Sequence, residues 1–252
     1  MSAYIHLKHA LADAALIAIQ QRRRAALAAW LAAYCERARD GAFHVALADV
    51  TRAAREKAAA CRLPVPRALA ADVQDLHLFT PLRGDAVALR PEFHAHAAYM
   101  RRQVTRLWRA VTRLRQDPAL RVIPREVRLG TVFFDAGLYF ECHEYLEGVW
   151  KRGSLKEKGF YHGFVQVGVA FYHFEKGNMH GARTLLRKGL GKLAACGPVH
   201  QGMDVREFRR RLAPWLAFFE GAGARPPAMP AVPTLPAVSA APGTSRRRKH
   251  PP

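Results

Sequence analysis

No two of the four cysteines in this 252-residue chain, Cys35, Cys61, Cys142 and Cys196, form a C-x-x-C pair. Scattered thiols argue against a disulfide framework or a zinc ribbon and suggest a reducing, cytoplasmic setting. Long apolar runs are also missing. The stretch from Ala10 to Ile19 carries Asp13 and is followed by Arg22, Arg23 and Arg24. It reads as an amphipathic helix rather than a signal peptide, and no later run is long enough to insert in a membrane. Glycine and proline are absent until Gly41, so residues 3–39 are expected to form one long helix or two consecutive ones.

Acidic residues are scarce as well, 20 against 40 Lys and Arg, for a net charge of +20. The excess is spread: residues 1–115 hold 19 basic and 9 acidic residues, 116–220 hold 16 and 11, and 221–252 hold 5 and none. Such a surplus favours nucleic acid or another polyanion as partner. An Arg-rich and Ala-rich composition, typical of a GC-rich bacterial genome, also produces ordinary solvated helix faces.

The stretch from Val45 to Arg62 is helical in pattern, stopped by Pro64 and Pro66, and a further helix is expected from Pro66 to Leu76. Next comes LHLFTPLRGDAVALRPEF, a small hairpin turning at Arg83-Gly84-Asp85. Helices followed by a hairpin are the layout of a winged helix-turn-helix, with the third helix, around Arg67 to His77, facing the major groove and Arg83 on the wing. A generic helical domain with one hairpin gives the same string. Residues 92–116 form an amphipathic helix with Tyr99, Val104, Leu107, Val111 and Leu114 on one stripe. Its arginines, Arg101 and Arg102 among them, could lie on phosphate or simply in water. The expected division is a basic helical domain over 1–117, a linker over 118–129, a helical domain over 130–220, and a disordered Pro/Ala-rich basic tail over 221–252. Eight of the 16 prolines fall in that tail.

The segment FFDAGLYFECHEYLEGVWKRG, from residue 133, reads as one helix that is apolar on one face. Glu144, Glu147 and His143 share the other face with Trp150, and the aromatic Phe133 and Phe140 project among them, so that face should line a cleft or a buried seam. Glu141, Glu144 and Glu147, three carboxylates on consecutive turns, need a hydrogen-bonded partner, a cation or water. The following helix, residues 157–178, places His162, Gln166 and His173 on one stripe and Tyr172 beside them. Gly163 and Gly168 permit a close approach, and Gly177-Asn178 turns the chain into a third helix from Met179.

Phe134, Gly137, Tyr139, Phe140, Glu141, His143, Glu144, Leu146, Glu147 and Trp150 spell F-x-x-G-x-Y-F-E-x-H-E-x-L-E-x-x-W. With Gly163, Gln166, Tyr172, His173, Gly177, Asn178, Gly181 and Ala182, the pattern over residues 130–195 resembles the family called domain of unknown function 309. The resemblance implies an all-α fold of bacterial or archaeal origin and no established activity, and it says nothing of residues 1–115.

The fold expected is therefore mainly α: a helical N-terminal domain with one small β-hairpin, then a three-helix domain in which an αα-hairpin packs on a first helix. Glu141, His143, Glu144 and Glu147, with His162, Gln166 and His173 opposite, are candidate ligands for a divalent metal such as Zn, Fe or Mn. Yet Glu147 stands where H-E-x-x-H has its second histidine, and Glu141 and His143 point about 160° apart, so neither a metallopeptidase nor a di-iron pattern is met. Three readings stand. The carboxylates can form a hydrogen-bonded network or a partner-binding groove lined by Phe133, Phe140, Trp150 and Tyr172; they can hold a metal or small ligand; or Glu144 can act as base beside His143 in a metal-dependent hydrolase. The preferred function is a binding or regulatory accessory protein, its basic half on a polyanion and its acidic-histidine groove on a ligand or protein partner.

Overall fold

The computed structural model describes residues 2–38, 41–82 and 84–235, with the side chains of Leu155 and Lys156 left aside. It is mainly α. The helices are α1 (Ala3–Gln20), α2 (Ala26–Arg37), α3 (Leu47–Ala60), α4 (Leu69–Gln74), α5 (Ala97–Gln116), α6 (Arg125–Asp135), α7 (Tyr139–Arg152), α8 (Leu155–Glu175), α9 (Met179–Ala194) and α10 (Val205–Phe219). Two strand pairs accompany them, β1 (His44–Ala46) with β2 (Ala86–Ala88) and β3 (Val199–His200) with β4 (Met203–Asp204), both antiparallel. Among the described residues no helix is long and apolar enough to cross a membrane.

The Gly- and Pro-free start forms two helices, parted by a 3-10 turn at Arg22–Arg24 where Arg22 and Arg23 are exposed and Arg24 pairs with Asp72 at 2.6 Å. Every residue from Ala26 to Tyr34 is buried. A helix apolar all round has no solvent face, and α2 accordingly lies at the centre of the N-terminal half against α1, α3, α4 and α5. Its Tyr34 hydroxyl donates to the Phe43 carbonyl at 2.8 Å and accepts from the Leu89 amide at 2.7 Å, pinning both strand ends.

β1 precedes α3, and β2 lies between β1 and residues 78–80. The Phe79–Leu89 bridge, the Thr80 amide on the Ala88 carbonyl and the Arg90 amide on the Leu78 carbonyl form the expected hairpin. Arg83, expected on the wing, lies outside the described residues.

α5 buries Met100, Val104, Leu107, Ala110 and Val111, while Tyr99 and Leu114 are partly covered. It packs on α1 and α2 and also on α6, so the buried side chains of both halves form one continuous cluster from Leu7 to Val232. The expected linker, 118–129, holds part of that cluster, with Leu120, Ile123, Val127 and Leu129 buried and α6 beginning at Arg125.

In the second half α7 and α8 pair, and α9 lies on α8. Ser154 and Glu157 form a capping box that starts α8. Gly177, at φ +73°, ends it, and the Asn178 side chain accepts from the Gly181 amide at 2.8 Å to start α9. α10 closes the base with Phe208, Leu212, Trp215 and Phe219 in an aromatic core. Disorder was expected from residue 221, yet residues 228–235 run back across this base. Trp215 Nε1 donates to the Ala228 carbonyl at 3.0 Å, the Val232 amide to Asp135 Oδ1 at 2.8 Å, and Thr234 bridges Met203. Composition misses such a segment because backbone hydrogen bonds and the buried Pro230 and Val232 hold it without a helix or sheet of its own. The Arg246–Lys249 run lies outside the described residues.

Candidate functional site

The segment from Phe133 to Gly153 is two helices, not one. Gly137 sits at φ +79°, a conformation glycine adopts at little cost, and the chain turns there between α6 and α7. Phe133 therefore belongs to α6, where it is fully buried with its ring 5.7 Å from that of Tyr145. It does not line a groove: the helical projection that set it among the carboxylates fails at the break.

On α7 itself the acids separate. Glu144 is exposed, and His143 and Glu147 are partly so. His143 Nδ1 lies 3.2 Å from Glu144 Oε1 and its Nε2 lies 3.3 Å from Glu147 Oε2, so one imidazole spans both carboxylates. Lys151 Nζ stands 2.9 Å from Glu147 Oε1, and its hydrogen bond holds that carboxyl below the usual range. One donor atom from each of His143, Glu144 and Glu147 falls within 4.8 Å of the others, a spacing a divalent cation could occupy.

Glu141 points the other way. It is 4% exposed, and burial pushes its carboxyl up to about 7, against the smaller downward pull of its own backbone amide, Arg106 and Lys8. The surroundings of this face come largely from the first half of the chain. Lys8 Nζ lies 3.7 Å from the Phe140 ring centre and 5.2 Å from that of Tyr172, and the His9 ring meets Phe140 edge-on with centres 6.0 Å apart. Lys176 reaches the Tyr4 hydroxyl and lies over the rings of Tyr4 and Tyr172, while Arg106 Nη2 is 2.5 Å from Glu175 Oε1. The compensation expected for the carboxylates is thus divided: an imidazole and a lysine for Glu144 and Glu147, and a cation–aromatic seam beside Glu141. Tyr4, Lys8, Arg106 and Lys176 had no local signal in the sequence.

The residues opposite are also dispersed. His162 stacks on Trp150 with ring centres 4.5 Å apart, and burial followed by the Lys192 charge lowers its pKa. Because Asn178 Oδ1 accepts from Gly181, its Nδ2 faces His173 Nδ1 at 3.0 Å, so His173 accepts there and serves the α8–α9 turn. Gln166 Oε1 is buried without a hydrogen-bond partner. The contacts of Trp150 with His162 and of Phe140 with Tyr172 fix an antiparallel register that sets Gln166 opposite the middle turns of α7. In the first half, Arg67 is exposed just before α4, Arg101 Nη1 donates to the Ala38 carbonyl at 3.5 Å, and Arg102 lies over Tyr99.

The helix pair carrying this Glu/His face is entered through the Gly137 turn and left through Gly177-Asn178. Residues 127–185 match a domain of unknown function (DUF309). Within the chain, 58 residues are 43% identical to the uncharacterized protein YpuF of Bacillus subtilis (strain 168), a match covering 23% of this chain and 33% of that protein. The chain thus spans about a third of the length of the curated relative it matches. No solved structure matches. The DUF309 match takes in most of α6, all of α7 and α8 and the start of α9, and leaves the N-terminal half outside it.

Proposed function

We propose that the protein is an accessory factor that binds nucleic acid through its N-terminal half, with the DUF309 helices as a partner- or ligand-binding unit docked beside it. The supporting observation is the order α2, β1, α3, α4, residues 78–80, β2, in which β2 pairs with β1 on one side and with the Phe79 segment on the other. Helix, strand, two helices and a two-stranded wing whose last strand also pairs with the first is the arrangement of a winged helix-turn-helix. In it α4 faces the major groove.

The exposed residues from Arg67 to His77 are Arg67, Ala68, Ala70, Ala71, Asp75 and His77. Short alanine side chains allow close approach but few base-edge hydrogen bonds, so binding rests on phosphate contacts and tolerates sequence change. A short DNA duplex should bind the full-length protein with an affinity that falls steeply with salt, and Arg67→Ala should weaken it roughly equally on unrelated sequences. Absence of binding at low salt would reject the proposal.

The second reading, a divalent cation at His143, Glu144 and Glu147 serving a hydrolase, is favoured by the convergence of those donors alone. Elemental analysis of protein loaded with Zn, Fe or Mn, beside His143→Ala and Glu147→Ala, decides it: stoichiometric metal lost in both variants supports the site, and none in the wild type removes it.

A further inference from the structure

Six arginines from separate stretches of chain converge on one cleft of about 690 Å³. Arg22 comes from the 3-10 turn after α1, Arg62 from the end of α3, Arg115 from the last turn of α5, Arg121 from the 118–122 turn, and Arg125 and Arg128 from the start of α6. Among the described residues no Asp or Glu lines the cleft, and none of the six is in an ion pair. Two are braced by backbone: Arg22 Nη2 donates to the Arg62 carbonyl at 3.2 Å and Arg125 Nη2 to the Gln20 carbonyl at 3.3 Å.

The ordinary explanation of surface arginines, a solvated helix face, does not cover this arrangement. Arg115 Nε and Arg128 Nε are shut away from water with no acceptor. A buried, unpartnered N–H on a charged group is costly, and so is gathering like charges without counter-charge. Burial, with Arg22 and Arg128 next, lowers the pKa of Arg115. The α6 N-terminus opens at the same place and adds positive potential of its own. Guanidinium forks match phosphate oxygens in pairs, and the volume is that of a small-molecule site.

We infer that this cleft binds a compact molecule bearing two or more phosphate groups, such as a polyphosphorylated nucleotide, held between the N-terminal helices and α6. Its concave form suits an enclosed anion better than the convex backbone of a duplex.

The test titrates the full-length protein with sodium tripolyphosphate and with inorganic phosphate at about 0.15 M ionic strength, by calorimetry. Arg115→Gln/Arg128→Gln is compared with Arg23→Gln/Arg55→Gln, which removes the same charge outside the cleft. The expected result is saturable one-to-one binding of tripolyphosphate, tighter than phosphate, weakened at least about tenfold in the cleft variant and retained in the control. Without ligand the cleft variant should melt no lower than the wild type, because it loses repulsion rather than a bond. Absence of saturable binding, equal loss in the control, or a sharply lowered melting temperature in the unliganded cleft variant would each overturn the inference. Loss of DNA-duplex binding in the cleft variant as steep as that of tripolyphosphate would make the cleft a nucleic-acid contact instead. Failure of the duplex to bind either protein bears on the winged-helix proposal alone.

Discussion

Gly163 of α8 and Gly189 of α9 face each other so closely that a Cβ on Gly189 would stand 2.9 Å from the Gly163 carbonyl oxygen, and one on Gly163 would stand 3.2 Å from that of Gly189. The two helices meet backbone to backbone at this point, with Leu193 and Val167 side chains closing the remaining space at 3.0 Å. Gly189→Ala should therefore force α9 off α8 and destabilise the protein by about 1–3 kcal/mol. Gly191, two residues on, has nothing within 4 Å of its would-be Cβ, and Gly191→Ala should stabilise by about 0.5–1 kcal/mol through helix propensity. Urea unfolding of the pair measures both signs; equal effects would mean the contact does not set the helix spacing.

Glu141 gives the protein a pH dependence of definite sign. Its carboxyl titrates near 7 when folded, above the ordinary value of 4.5, so between those two values the folded state holds a proton that the unfolded chain has released. Stability from this group is complete below about pH 4.5 and is lost as pH rises through 7. Glu141→Gln mimics the protonated form, so its melting temperature should exceed that of the wild type at pH 8 and match it at pH 4. The difference at pH 8 is on the order of 2–3 kcal/mol. A gap that does not change with pH would show that Glu141 keeps its charge in the fold, paired with Arg106 or Lys8.

Asp135, at the end of α6, joins three parts of the molecule: its carboxylate accepts from Arg113 of α5 and from the Val232 amide of the returning segment. Its side chain is 7% exposed. Asp135→Ala leaves the Val232 amide without an acceptor and Arg113 with only its 3.5 Å contact to Asp117, at a cost of about 2–4 kcal/mol. Hydrogen exchange should show it locally, with the Val232 amide exchanging far faster in the variant while the α8 amides stay protected.

Much of this fold is written in local patterns. The alanine-rich start, the Pro64 and Pro66 stop, the hairpin about Gly84 and the Gly177-Asn178 junction are each decided by a few adjacent residues, and each is found where its chemistry places it. The break at Gly137 shows where that reading fails: Phe133 and Phe140 fit one continuous wheel, and only the positive φ of an intervening glycine separates a core side chain from one in the seam. The site was legible in part. His143, Glu144 and Glu147 lie within five residues, so helix geometry alone brings them together. The rest is assembled across the chain, as with Lys8 against Phe140, 132 positions away, or Arg22 beside Arg128, and no spacing rule reports contacts that only tertiary packing creates.

The continuous core carries a consequence for how the molecule is made. Val232 closes against Asp135, and Lys8 covers Phe140, so α7 and α8 are flanked by a stretch synthesised before them and another synthesised after. During synthesis α6 to α8 can settle on an N-terminal half already waiting, but Trp215 and Asp135 keep an open flank until residues 228–235 have left the ribosome. The 228–235 segment is thus a latch, closing over helices made before it.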